Sequence, residues 1–429
     1  MVVSGVAGAP GVVLARDAAL PRSSLDGKVA TTRADFKLTS RPNDRLSLRA
    51  GYRYYKYDDQ SAEILFPGYS SSGDSFFRRA VGQTLDGQKA LFNEVGGYTR
   101  QRLNVGAGFH VGRATLDGEY YRTAWDYDAR QVSKTSEDSL KGTLRYATDS
   151  GVSVHAYYLW ASRDFDGEYA VGLETSGVRA FDVWARDRNQ VGAGVDVPIG
   201  ETWVVNAGGS YSKDKYPGAV QKFANGYGLQ DSQNTSVFGG INYNKQGWTL
   251  GASAGYDSYE WNSLQVTKSS LTTDYNPINR WTRESSDKVF WLGGDVAGKL
   301  SKKATMRAEV QYQRFTGDWT TLNLGTPDIN SAVAYPFPEF ADSLFTAHLS
   351  LVFNLNAKVD FETRYWYEPY SLTDFTSDSV RPYNQGVLQE TRNTPSTLGA
   401  MNVSRLLWLD SRYSDYTAHT VSFLLHMRF

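Results

Sequence analysis

The chain has 429 residues, a net charge of −1, no cysteine, 40 Gly, 28 Tyr, 20 Phe and 11 Trp. Lacking cysteine, it forms no disulfide, thiolate metal site or iron–sulfur cluster, and it attaches no c-type haem of its own, which needs C-x-x-C-H. A balanced charge offers no basic field for nucleic acid, and no run approaches the roughly 20 apolar residues of a membrane helix.

Residues 1–14 are apolar but carry no basic flank, and Pro10 interrupts them, so they make a poor signal peptide. Either a leader has been removed or the chain is incomplete at its start. Residues 1–28 read as an irregular N-terminal segment or a makeshift strand, and 29–429 as one barrel domain. From residue 29 a single plan repeats: strand, tight turn, strand, long polar loop. Ala34, Phe36 and Leu38 alternate with Arg33, Asp35 and Lys37. After Pro42-Asn43-Asp44, the residues Leu46, Leu48, Ala50, Tyr52 and Tyr54 alternate with Ser47, Arg49, Gly51 and Arg53. Period-two alternation marks a strand with one apolar face, and Pro-Asn-Asp supplies turn chemistry. Similar pairs recur at 98–111 and 114–127, 138–147 and 152–163, 187–198 and 203–213, and 233–244 and 248–261. They continue at 287–300 and 305–316, then 343–355 and 359–370, and a final strand at 416–429 stands alone. The total is fifteen.

In the last strand Val421, Phe423, Leu425, Met427 and Phe429 share a face, with Ser422, His426 and Arg428 opposite and Leu424 spoiling the alternation. A terminal aromatic strand resembles the outer-membrane β-barrels of Gram-negative bacteria, whose assembly machinery reads that C-terminus. Phe423, Leu425, Met427 and Phe429 are the expected assembly signal. Loop lengths agree. Two- and three-residue turns on one side oppose the long connections 58–97, 164–186, 214–232, 262–286, 317–342 and 371–415, as in barrels whose short turns face the periplasm. The expected fold is therefore all-β: an antiparallel transmembrane barrel of about fifteen or sixteen strands, integral to the bacterial outer membrane and bathed in its lipid. An odd antiparallel sheet cannot close by antiparallel pairing. The ring is thus expected to be incomplete or strained at its first strand, or to recruit residues 2–14.

Aromatics collect where the ascending strands end: Tyr54, Tyr55 and Tyr57; Tyr120, Tyr121 and Trp125; Tyr157, Tyr158 and Trp160; Tyr256, Tyr259 and Trp261; and Tyr365, Trp366, Tyr367 and Tyr370. They read as a girdle at the outer membrane interface. Parity places Arg33, Asp35, Lys37, Arg49, Arg53, Asp117, Glu119, Lys141, Arg145, Asp196, Arg307, Glu309, Asp360, Glu362 and Arg364 in the lumen. A charge at mid-membrane on the lipid face would cost about 2–4 kcal/mol.

Specific chemistry is sparse. His110, His155, His348 and His426 share lumen parity and His419 does not, with no close pair or H-E-x-x-H to hold a metal. Gly106-Ala107-Gly108 and Gly192-Ala193-Gly194 lack the crossover helix of a dinucleotide loop. Asp126, Asp128, Asp164, Asp166 and Glu168 could meet a hard cation, although solvated carboxylate loops are commonplace. No nucleophile–base set stands out, and no enzymatic role is expected.

Residues 20–57 carry a more specific signal. Ser23-Ser24-Leu25-Asp26-Gly27, then Thr39-Ser40-Arg41-Pro42-Asn43-Asp44-Arg45-Leu46-Ser47-Leu48, then Tyr52-Arg53-Tyr54, resemble the MtrB/PioB family of outer-membrane barrels. The resemblance implies a sheath, itself without cofactor, around a periplasmic multihaem c-type cytochrome. Haem-to-haem transfer would then cross the outer membrane to or from an extracellular partner such as a second cytochrome. The residues alone leave a general or solute-selective porin open as the alternative. Family members are longer, with more strands before this region, and some carry a C-x-x-C absent here. Geometry makes the length matter. Sixteen strands give a lumen of ~20 Å, too narrow for a compact 100-residue guest ~33 Å wide. About ten further strands would make room, so the chain is expected to be the C-terminal portion of a larger barrel or a shortened relative.

Overall fold

One sheet of fifteen strands dominates the computed structural model, each strand hydrogen-bonded antiparallel to its sequence neighbour. The structure describes residues 22, 24–66, 77–85, 88–93, 95–128, 132–166, 183–217, 228–266, 280–323, 339–374 and 415–427, plus two-residue strands at 2–3, 12–13, 383–384 and 406–407. In chain order the strands are β1 Val29–Asn43, β2 Leu46–Asp59, β3 Tyr98–Val111, β4 Ala114–Tyr127 and β5 Lys134–Ala147. Next come β6 Ser153–Asp166, β7 Arg186–Ile199, β8 Trp203–Lys215, β9 Gly228–Lys245 and β10 Trp248–Val266. The last are β11 Arg280–Ser301, β12 Ala304–Asn323, β13 Phe340–Asn356, β14 Val359–Thr373 and β15 Tyr416–Met427. Residues Arg428 and Phe429, and hence the end of the assembly signal, lie outside the described residues.

Turn chemistry sets the register at one end of the sheet. Lys245 pairs with Trp248 across Gln246-Gly247, whose φ values of 55° and 80° match a type I′ hairpin. The first turn lies slightly later than Pro42-Asn43-Asp44 suggests. β1 runs on to Asn43, whose Oδ1 accepts from the amides of Arg45 and Leu46, both at 2.9 Å. Pro42 sits at a register shift on an outermost strand, where a missing N–H is tolerated.

At the other end β9 to β12 outrun their apolar alternation. On β11 the apolar residues Phe290, Leu292, Val296 and Leu300 share a face, and above them that face carries Thr282, Glu284, Ser286 and Lys288. The apolar stretch matches the 9–11 residues that cross a bilayer. Pairing continues beyond it, where that face carries polar and charged side chains and the alternation lapses.

The sheet is inside-out relative to a soluble protein. Phe36, Leu38, Phe109, Leu116, Leu140, Leu144, Leu292, Phe423 and Met427 are all exposed, Phe423 at 69%. Asp117, Asp360 and Glu362 are buried. Ladder partners lie on the same face of a sheet, and following the register from β1 to β15 separates an apolar face from a polar one. Leaving so many large side chains in water would forgo ~1.5–3 kcal/mol each; lipid removes that penalty.

No ladder joins β1 to β15 among the described residues, so the sheet is open. β1 is exposed along its whole length. Fifteen is odd, so these two edges run parallel to one another. Val2–Val3 pairs with Val12–Val13 rather than with the sheet, so among the described residues no strand before β1 extends it.

Candidate functional site

The polar face gathers the charged residues into local, self-neutralised groups. All fifteen positions named from parity lie on it: Arg33, Asp35, Lys37, Arg49 and Arg53 through the β1–β2 register, and Asp117, Glu119, Lys141 and Arg145 through β3–β5. Asp196 follows through β6 and β7, and Arg307, Glu309, Asp360, Glu362 and Arg364 through β12–β14. Asp35 accepts from both Arg33 and Arg53. Asp117, 7% exposed, accepts from Arg145 and, at 3.2 Å, from Arg49. The Arg49 Nε–H also reaches Glu119 Oε1 at 2.7 Å, and Tyr121 donates to the other oxygen of that carboxylate at 2.6 Å. Glu362 is held by Arg364, Ser350 and His426 at 2.6, 2.7 and 2.9 Å. Lys141 instead lies over the Tyr157 ring at 4.4 Å. Arg307 and Glu309 are not brought together with these groups.

Toward the loop end the pairs join adjacent strands or reach across one. Arg188 makes a bidentate bond to Asp214, both contacts at 2.7 Å, and Arg186 bonds Glu137. The buried carboxylates of Asp117, Asp214 and Glu362 are thus matched by guanidinium groups, the partners that best offset desolvation.

The aromatic girdle is where the structure departs from the sequence reading. Tyr54, Tyr120, Tyr158, Trp160, Tyr256, Tyr365 and Tyr367 do occupy the apolar face, by the register that puts their neighbours on the polar one. Tyr55, Tyr57, Tyr121, Trp125, Tyr157, Tyr259, Trp261, Trp366 and Tyr370 face the other way. Clustering near strand ends does not decide a face; parity does.

The polar-face aromatics form a belt near the loop end. Tyr57 stacks on Tyr98 at 5.5 Å, Tyr98 meets Trp125 at 5.2 Å, and Trp125 stacks on Tyr127 at 5.9 Å. Tyr127, Phe165 and Trp261 then pack against a buried cluster of Val132, Val183, Trp184, Tyr216 and Leu229. Burial there pushes the Tyr216 hydroxyl pKa up. Phe315 meets Phe340 at 5.5 Å, and Tyr370 stacks on Tyr416 at 5.3 Å. Counting parity onward from Arg53, Thr123 and Arg163 would have found Tyr55, Trp125 and Phe165. Lower down, Tyr157 lies on Gly192 and Trp291 on Gly255, so closely that a Cβ at either glycine would collide with the ring.

His110, His155, His348 and His426 lie on the polar face and His419 on the apolar one, where it bonds the Tyr365 hydroxyl at 2.8 Å. Among the described residues no group of three or more His, Asp or Glu is placed to hold a metal. Glu168 lies outside them. Gly106-Ala107-Gly108 and Gly192-Ala193-Gly194 lie inside β3 and β7.

An open antiparallel sheet with one apolar and one charge-paired face is the wall of a membrane barrel, and comparison with known proteins assigns its family. The family model for the MtrB/PioB outer membrane beta-barrel porins matches residues 9–429. The chain belongs to the MtrB/PioB family. A curated relative, outer membrane protein MtrB of Shewanella baltica, is 25% identical over 344 residues, covering 75% of this chain and 45% of the relative. The chain therefore spans less than half the length of that relative. Among solved structures, the ferric enterobactin receptor PfeA of Pseudomonas aeruginosa aligns at 10% identity and a TM-score of 0.40, over 82% of this chain and 68% of that one. The siderophore receptor PirA of Acinetobacter baumannii aligns at 9% identity and a TM-score of 0.40, over 95% and 72%. As an MtrB/PioB member, the protein is an integral outer-membrane β-barrel.

Proposed function

We propose that this barrel is a sheath for a periplasmic multihaem c-type cytochrome. It holds the cytochrome so that electrons pass between haems across the outer membrane, to or from an extracellular partner such as a second cytochrome. The observation that carries the reading is the family match along residues 9–429, with the MtrB relative alongside it. The haem belongs to the partner. The polar face lines the lumen, and its charged residues serve as a hydrated, mutually neutralised wall against which a protein can sit without burying unpaired charge. The role is structural rather than enzymatic.

Size bears on this reading. Fifteen tilted strands span ~90 Å of wall, and a ring of that circumference alone is ~29 Å across at the backbone. A compact 100-residue guest is ~33 Å wide. The sheath therefore requires a wider ring than these strands would close.

The test is electron transfer across proteoliposomes that enclose an oxidised dye, with reductant outside. Dye reduction that needs both barrel and cytochrome supports the sheath; an equal rate without cytochrome contradicts it. A water-filled porin is the second reading, favoured by the mixed-sign charges of the polar face. Ion conductance by a haem-free barrel purified from native membranes would select it.

A further inference from the structure

Three aromatic residues, two serines and one arginine make an unusual patch near the loop end of β10, β11 and β12. On the polar face Arg283 stands opposite Ser263, and Ser285 stands between Trp261 and Trp319. The Arg283 guanidinium lies 4.0 Å from the Trp319 ring centre and 5.1 Å from that of Trp261. It is held between two ring faces. Ser263 and Ser285 are 2% and 3% exposed, and neither hydroxyl has a hydrogen-bond partner among the described residues. The Trp281 indole N–H and the Arg283 Nε–H are likewise buried and unsatisfied.

Four arginines of the face, Arg49, Arg186, Arg188 and Arg364, each grip a carboxylate. Arg100 and Arg102 lie over single rings, Trp125 and Tyr121, and Arg283 lies between two. Arg283 has no carboxylate within ion-pair distance among the described residues, and Asp287 acts on it only through space. Ring quadrupoles offset part of the cost of a half-buried cation. They do not saturate a fork of five N–H donors, and buried polar groups in native structures are normally satisfied.

We infer that Arg283, Ser263 and Ser285 form a binding site for a small oxyanion, a carboxylate or a phosphate-type group. The planar fork, fixed by the two rings, matches a pair of coplanar oxygens. The two hydroxyls and the Trp281 N–H supply the remaining donors. The site stands above the apolar band of β11, which begins at Phe290, so an anion reaches it from water without crossing lipid. All the donors come from this chain, so the site needs no residue of a cytochrome.

The experiment is calorimetric titration of the detergent-solubilised full chain with inorganic phosphate and, separately, with succinate, which tells the two anion classes apart. Saturable binding of either probe is expected, weakened at least about tenfold in Arg283→Gln and in the Ser263→Ala/Ser285→Ala double variant. Arg283→Lys should lose most of the affinity because it keeps the charge without the fork. Lys302→Gln, in a turn at the far end, should bind as the parent does. Heat-modifiability checks that each variant is folded, and the serine pair remains informative if Arg283→Gln does not assemble. Absence of saturable binding by both probes, or unchanged affinity in the folded Arg283→Gln or serine variants, overturns the site.

Discussion

Asp117 shows how one carboxylate organises the polar wall. It is almost wholly covered, and two guanidinium groups converge on it, Arg145 from the adjacent β5 and Arg49 from β2, across β3. Asp117→Ala removes the acceptor and leaves both cations beside each other. It is expected to destabilise the folded protein by about 2 kcal/mol, the scale of a charged hydrogen bond lost from a partly buried site. Lys141→Ala, which removes a half-buried cation over Tyr157, should cost under about 1 kcal/mol. Urea unfolding in liposomes measures both, and equal losses would contradict the pairing. Parity alone was enough to put Asp117, Glu119 and Glu362 on the polar face. It could not say that Arg49 bridges Asp117 and Glu119, nor that Arg283 lies between two tryptophan rings, because those depend on rotamers and on which strands adjoin.

At the scale of the strand, two faces of a single element give the clearest contrast. On β12, Val310 is exposed on the apolar face and Gln311 lies on the polar one, opposite Gly293. Val310→Lys should cost about 2–4 kcal/mol because its charge meets lipid near mid-membrane, whereas Gln311→Lys should cost well under that. Unfolding midpoints in liposomes read both, and a tolerated Val310→Lys would mean that the faces are reversed. The hairpin at Gln246-Gly247 supplies a second test. Gly247→Val forces a β-branched residue to φ 80° and should cost about 1–2 kcal/mol; an unchanged unfolding midpoint would contradict the turn assignment. All fifteen strands were legible because lipid on one side and water on the other impose alternation. Their loop-end extensions were not: Arg280–Ser286 and Gly317–Asn323 pair regularly but have no continuous apolar face, so alternation does not mark them. The girdle was misread for a related reason. Tyr55, Trp125 and Trp261 follow from proximity to a strand end only in position, while their direction follows from parity.

For the whole molecule, the short turns and the long connections must lie on opposite sides of the membrane. Lys302→Cys should resist an impermeant thiol reagent in intact cells while Gln60→Cys reacts, in a chain with no other cysteine; the reverse pattern would invert the topology. The open edges at β1 and β15 also need partners in a bilayer, where unpaired backbone groups are costly. The Ser23–Tyr54 motifs pointed to the MtrB/PioB family from about a tenth of the chain, and the remaining architecture agreed in rhythm rather than in sequence. The proposed guest is read from the family rather than from any residue pattern, because a charge-paired wall carries no imprint of one. The central claim is therefore tested by affinity purification of this protein from native outer membranes, followed by haem spectroscopy and mass spectrometry. The account predicts a stoichiometric c-type multihaem cytochrome that resists external protease while the membrane is intact. A haem-free barrel that conducts ions would contradict it.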